Sequence, residues 1–146
     1  MKNILVICTG NICRSPTAEY LLRRDLGDGF DVQSAGLGAV VDSAADPLAE
    51  KIAESHGVSL DSHKSRQVNQ DMLKWADLVL TMEDRQKEYL LQRYPYLEGK
   101  VFRYGDSVQV DIPDPYGRPE GAFVMAWKFI EKFTPYWVDK IRQNKV

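Results

Sequence analysis

The stretch Cys8-Thr9-Gly10-Asn11-Ile12-Cys13-Arg14-Ser15 puts a sulfur nucleophile and a guanidinium in one short loop, with five residues between them. A thiolate attacks electrophilic phosphorus or carbon. An arginine offers a planar, permanently charged fork that grips two oxygens of a phosphoryl group at once. The run before the loop, Ile4-Leu5-Val6-Ile7, is apolar without alternation, as in a strand buried on both faces. A helical pattern follows, from Ala18 through Leu21 and Leu22. Cys8 therefore stands where a strand ends and a helix begins. A loop in that place can turn successive backbone N–H groups inward, and the helix start adds unpaired donors and partial positive charge. Thr9, Gly10, Asn11, Ile12 and Cys13 then form an anion cradle whose donors also favour the thiolate of Cys8. Gly10 allows the backbone to approach a ligand closely, and Asn11 tolerates a left-handed backbone. Ser15 can donate a hydrogen bond to the sulfur and ease its departure in a second step.

Phosphoryl transfer to a cysteine also needs an acid for the leaving group, because a phenol has a pKa of about 10 and its anion leaves reluctantly. The candidate is Asp114 in Ile112-Pro113-Asp114-Pro115-Tyr116, where flanking prolines stiffen the backbone. Asp111, Asp106 and Glu120 are its rivals. Tyr116 beside the acid is placed to line the pocket mouth and stack on an aryl ring. No Gly-Lys-Ser/Thr follows the cysteine loop, which disfavours nucleotide binding, and Gly36-Leu37-Gly38 lacks the third glycine of a dinucleotide fingerprint.

These groups need a scaffold. Strand-like runs recur at 3–8, 31–34, 77–81 and 100–104, with helical patterns over 16–26, 47–56, 70–75, 84–94 and 121–142. Alternation of strands and helices implies a parallel sheet covered on both faces, a three-layer α/β domain with its ligand site at the carboxyl ends of the strands. At 146 residues and 44% hydrophobic content the chain suits one domain spanning 1–146. Residues 107–120 carry three prolines and no periodicity, a long loop of the kind that is usually functional. Pro135 is expected to kink or restart the last helix, with Thr134 capping its second part.

A net charge of -2 gives no global attraction to nucleic acid or an anionic membrane. No signal peptide or membrane-spanning run is evident, and two cysteines in one loop fit a reducing compartment, so a cytoplasmic location is expected; the chain is also expected to be a monomer. His56 and His63 lie too far from the cysteines for a four-ligand zinc site, and neither a metal nor a cofactor is expected.

The ordered set CTGNICRSPTAE, SAG, SHKSRQV and DPYG resembles the low-molecular-weight protein-tyrosine phosphatase family across nearly the whole chain. Through Ala35-Gly36-Leu37-Gly38-Ala39 it is similar to the bacterial branch associated with capsule and exopolysaccharide tyrosine kinases. The resemblance implies a four-stranded parallel sheet in the order 2-1-3-4. It also implies hydrolysis of phosphotyrosine on a protein, with an autophosphorylating bacterial tyrosine kinase as the partner. It assigns Cys8 as nucleophile, Arg14 as phosphate-binding arginine and Asp114 as general acid and then base. Ser15, Asn11, Ser34 and His63 become a hydrogen-bond network that shapes the loop, and Leu37 and Val40 a wall of the substrate pocket.

Three other functions compete. An arsenate reductase on the same fold passes electrons through further cysteines, and this chain has none beyond Cys13. A thiol-redox module on Cys8 and Cys13 lacks the usual Cys-x-x-Cys spacing; the pair fits better as a reversible disulfide that protects the nucleophile. A non-catalytic phosphotyrosine-binding module would not need nucleophile, arginine and acid together.

Overall fold

The buried run at the N-terminus becomes the second strand of a four-stranded sheet. In the computed structural model, which describes residues 1–146, the strands are Asn3–Cys8 (β1), Asp31–Gly36 (β2), Leu78–Thr81 (β3) and Val101–Arg103 (β4). All pairs are parallel and the order is β2-β1-β3-β4, the order implied by the resemblance. The helices are Arg14–Leu26 (α1), Pro47–Ser55 (α2), Gln70–Trp75 (α3), Asp84–Arg93 (α4) and Glu120–Gln143 (α5).

Alternation of side chains along β1 divides the interior. Ile4 and Val6 join the larger core with α1, α2 and α5, while Leu5 and Ile7 meet Leu73 of α3 and Leu90 of α4 on the other face. Because β1 is paired on both sides and covered on both faces, its buried stretch Ile4–Ile7 is wholly apolar. No helix is long and apolar enough to cross a membrane.

α1 begins at Arg14 rather than residue 16, so Arg14 and Ser15 belong to its first turn and not to the loop, and two further elements differ from expectation. β2 runs past Ser34 to Gly36, because its pairing with β1 continues to Cys8 and Leu37 N–H then donates to the Cys8 carbonyl (3.0 Å). A Cβ on Gly36 would lie 2.5 Å from the Thr9 carbonyl oxygen, so only glycine fits against the loop there. The last helix neither breaks nor restarts at Pro135. Thr134 does not cap a second segment; its hydroxyl donates to the Ile130 carbonyl (2.7 Å) and accepts from the Tyr104 hydroxyl (2.7 Å). Trp137 Nε1 donates to the Tyr104 carbonyl (2.7 Å), so the helix is braced against the end of β4 on both sides of the proline.

The carboxyl ends of β1 and β3 lie side by side, with Ile7 opposite Thr81. Ile112 N–H donates to the Met82 carbonyl (2.9 Å), which draws the 107–119 loop across these ends.

Candidate active site

Cys8 closes β1, and the chain turns at Asn11, whose φ of 60° is left-handed. Asparagine is among the few residues that accept this conformation at small cost. The turn aims the Asn11 N–H at Cys8 Sγ (3.3 Å), and Ser15 Oγ approaches the same sulfur (2.9 Å).

The proton positions follow from the partners. Asn11 Oδ1 accepts from Arg66 N–H (2.9 Å), so Nδ2 must face the serines, donating to Ser15 Oγ (2.8 Å) and Ser34 Oγ (2.9 Å). Each serine oxygen is thereby an acceptor from Asn11, and each must send its own proton elsewhere. The Ser15 proton goes to Cys8, and the Ser34 proton goes to Glu19 Oε1 (2.5 Å). His63 Nε2 donates to the Asn11 carbonyl (2.6 Å), holding the turn from behind. Burial pushes the Glu19 carboxyl up, opposed by the Ser34 hydrogen bond and by Arg23, whose Nη2 lies 2.6 Å from Oε2. The sulfur therefore receives two hydrogen bonds whose direction is set by a network reaching α1 and β2.

Arg14 opens α1 and is almost wholly buried. Its Nη1 donates to Glu83 Oε2 (2.5 Å) and to the Ile112 carbonyl (2.8 Å), and its Nη2 lies 3.8 Å from Asp114 Oδ2. Glu83, just before α4, thus orients the guanidinium from one edge and leaves the other towards the pocket. Asp114 is half-exposed, and its Oδ1 accepts from Tyr116 N–H (3.1 Å), which fixes the carboxyl and leaves Oδ2 facing Arg14. Asp111 is held differently. Burial tends to raise its carboxyl, but hydrogen bonds from Arg103 (2.9 Å) and Asp84 N–H (2.9 Å) outweigh this and hold it below the usual range. A carboxyl so stabilised as the anion is a poor acid. Glu120 pairs with Lys51 (2.7 Å), and neither it nor Asp106 lines the pocket.

A cavity of about 200 Å³ opens over Cys8 and brings together Thr9, Gly10, Ile12, Cys13, Arg14, Gly38, Val40, Asp114 and Tyr116. Val40 and Tyr116 stand exposed at its mouth, 49% and 62% accessible, with Ile12 deeper. Asn11 and Ser15 do not reach the cavity with their side chains; both are fully buried behind the loop. Leu37 is not in the wall either. It packs on the second core with Ala35 and Leu5, and Gly38 takes the expected place beside Val40. A Cβ on Gly10 would meet only ordinary contacts, so the close approach that demands glycine belongs to Gly36. Cys13 borders the cavity as a free thiol, pushed far up by burial and then by the negative field of Asp46, Cys8 and Asp114.

Glu83, Gln86 and Glu19, like Gly38 and Arg66, are contributors to the site not predicted from the sequence. Gln86, in the first turn of α4, donates through Nε2 to Thr9 Oγ (3.1 Å). The signal for Glu83 was its position just past β3, the strand adjacent to β1.

Residues 3–146 match the family described as low molecular weight phosphotyrosine protein phosphatase. The low molecular weight protein-tyrosine-phosphatase Wzb of Escherichia coli is 41% identical over 146 residues, 99% of each chain. The structure of Vibrio vulnificus Wzb in complex with benzylphosphonate superposes with a TM-score of 0.90 at 38% identity, covering 95% of this chain and 98% of that one. The YwlE arginine phosphatase of Geobacillus stearothermophilus superposes with a TM-score of 0.91 at 31% identity, covering 99% and 96%.

Proposed function

The chain belongs to the low molecular weight phosphotyrosine protein phosphatase family and is a hydrolase, and from that premise we propose that it removes phosphate from protein phosphotyrosine through a cysteinyl phosphate on Cys8. The observation that carries this reading is the convergence of Cys8 Sγ, the Arg14 guanidinium and the Asp114 carboxyl on one cavity. The thiolate attacks phosphorus while the free edge of Arg14 and the inward amides of the loop take the equatorial oxygens. As the P–O bond breaks, Asp114 passes its proton to the departing phenolic oxygen. Water then attacks the S–P bond, Asp114 takes the proton from that water, and phosphate leaves with the thiolate restored. The Ser15 proton, already aimed at the sulfur, favours the thiolate as leaving group in this second step. Arg14 and the loop amides supply the positive field that a metal supplies elsewhere.

The walls favour an aryl ester. Ile12, Val40 and Tyr116 offer apolar and aromatic surface to a tyrosine ring. A phosphoarginine, the substrate class in the name of the YwlE neighbour, would bring a cationic group, and the cavity presents one carboxylate, Asp114, which the reaction already uses. The protein substrate we assign is an autophosphorylating tyrosine kinase of polysaccharide production, supported by the likeness of Ala35–Ala39 to that branch. Steady-state turnover of a phosphotyrosine peptide beside a phosphoarginine peptide, by wild type and Cys8→Ser, tests the reading. Wild type is expected to prefer phosphotyrosine, and Cys8→Ser to be inactive while still binding vanadate or phosphate. Activity retained in Cys8→Ser overturns the covalent mechanism, and preference for phosphoarginine overturns the substrate class.

A further inference from the structure

The residue after the nucleophile has a hydroxyl proton with no acceptor in the protein. Of the four threonines, Thr17, Thr81 and Thr134 each spend theirs on a backbone carbonyl, of Cys13, Glu83 and Ile130 respectively. Thr9 does not, and Gln86 sets which way its hydroxyl faces. That side chain is 3% accessible, and its Oε1 accepts from the N–H groups of both Met82 (2.9 Å) and Glu83 (3.0 Å). The amide cannot flip without leaving two backbone donors unpaired, so Nε2 must face Thr9 and donate to its oxygen (3.1 Å). Thr9 Oγ is thus an acceptor on its inner side, and its O–H is directed away from α4, in an exposed side chain on the cavity wall.

We propose that Thr9 is a specificity-determining residue whose hydroxyl, aimed by the positioning residue Gln86, donates a hydrogen bond to a backbone carbonyl of the peptide flanking the phosphotyrosine. In the mechanism proposed above the phosphoryl group lies deeper in the loop, among the amides and Arg14. An exposed neutral donor on the wall meets what projects from the cavity, and in a protein substrate the neutral acceptor there is a peptide carbonyl. The proposal rests on the phosphotyrosine-protein reading above.

The test compares kcat/KM for a phosphotyrosine peptide and for p-nitrophenyl phosphate, which has no peptide. Thr9→Val keeps the shape and removes the hydroxyl. Its loss on the peptide is expected to exceed its loss on p-nitrophenyl phosphate by roughly five- to tenfold, the worth of one neutral hydrogen bond. That excess falls on KM, since the contact exists before and during the chemical step. Thr9→Ser is expected to restore the peptide preference. Gln86→Glu keeps an acceptor for the Met82 and Glu83 N–H groups, but its carboxylate takes the Thr9 proton instead of donating. It is expected to reproduce the selective loss in the wild-type background and to add nothing to it in Thr9→Val. Equal losses on both substrates, or a Thr9→Ser variant no better than Thr9→Val, overturn the proposal while leaving the phosphatase reading intact. A wild type that turns over p-nitrophenyl phosphate but no phosphotyrosine peptide overturns both.

Discussion

Replacing Asp114 by asparagine separates its chemistry from its place in the loop. The amide oxygen of asparagine can still accept from Tyr116 N–H, so the turn that holds residue 114 survives, and Arg14 keeps its partners Glu83 and the Ile112 carbonyl. What is lost is the carboxyl oxygen facing Arg14, 3.8 Å from its Nη2, through which the proposed mechanism passes the proton. A positioned general acid contributes about 10²- to 10⁴-fold when the leaving group needs a proton. Phenol, with a pKa of about 10, needs one. A dinitrophenol leaves readily as its anion and does not. Asp114→Asn is therefore expected to lose about 10²- to 10⁴-fold in kcat/KM on phenyl phosphate or a phosphotyrosine peptide, and less than about tenfold on 2,4-dinitrophenyl phosphate. The assay is a series of aryl phosphates, with log kcat/KM plotted against leaving-group pKa: a shallow slope for wild type, a steep one for the variant. Asp111→Asn provides the control, since that carboxylate ties Arg103 to the start of α4 and is held ionised. Its cost is expected in stability, with the wild-type slope unchanged. An unchanged slope in Asp114→Asn, or a steep one in Asp111→Asn, would refute the assignment of the acid.

Arg14→Lys is expected to lower kcat/KM by roughly 10- to 150-fold, equivalent to one charge-assisted hydrogen bond, because a single ammonium cannot serve Glu83, the Ile112 carbonyl and two phosphoryl oxygens together; a chelator is expected to leave wild-type turnover unchanged, and near-normal rates with lysine would place the phosphoryl group elsewhere. We also propose that Cys13 rescues oxidised Cys8 as a disulfide: after mild peroxide a thiol reductant is expected to restore wild type but not Cys13→Ser, as followed by activity and mass spectrometry. Since burial holds the Cys13 thiol protonated, disulfide formation is expected to accelerate as pH rises, and full recovery of Cys13→Ser would make Cys13 a packing residue. The Asp77 carboxylate, lowered by hydrogen bonds from the N–H groups of Asn3 and Lys2, ties the start of β1 beside β3. Its contribution is present above the ordinary carboxylate range of about 3.9 and lost as pH falls through the depressed native value. Asp77→Ala is expected to lower Tm at pH 7 by a margin that shrinks at strongly acid pH, and a margin independent of pH would refute the linkage.

What could be read directly from the sequence is what is local along the chain. Cys8, Asn11, Arg14 and Ser15 lie within one loop and one helical turn, so their types and spacing already point to the cradle and nucleophile proposed above. The residues that elude such reading act across distance: Glu83 reaches Arg14 over 69 positions and Gln86 reaches Thr9 over 77. In the sequence both are ordinary helix-start polar residues. Only the order β2-β1-β3-β4 brings them to Arg14 and Thr9, since it sets the end of β3 beside the end of β1.

The displaced pocket wall follows from the same topology. If β2 stopped at Ser34, Leu37 would be free to enter a loop over the substrate. Because pairing with β1 runs on to Gly36, strand parity puts Leu37 on the face of Ala35, towards α3 and α4. The edge contact then continues beyond the strands, with Gly38 N–H on the Thr9 carbonyl (3.0 Å) and Val40 N–H on the Gly10 carbonyl (3.2 Å). The 37–40 segment thus follows the loop after β1, bonding to it through Gly38 and Val40 while Ala39 N–H turns to Gln67 Oε1 (2.9 Å), and Val40 is the first large apolar side chain after Leu37 available to the cavity. Val40 and the turn after Cys8 are therefore tied together by backbone hydrogen bonds that extend the β1–β2 pairing, so a change that shifts the register of β2 on β1 displaces Val40 together with the carbonyls of Thr9 and Gly10.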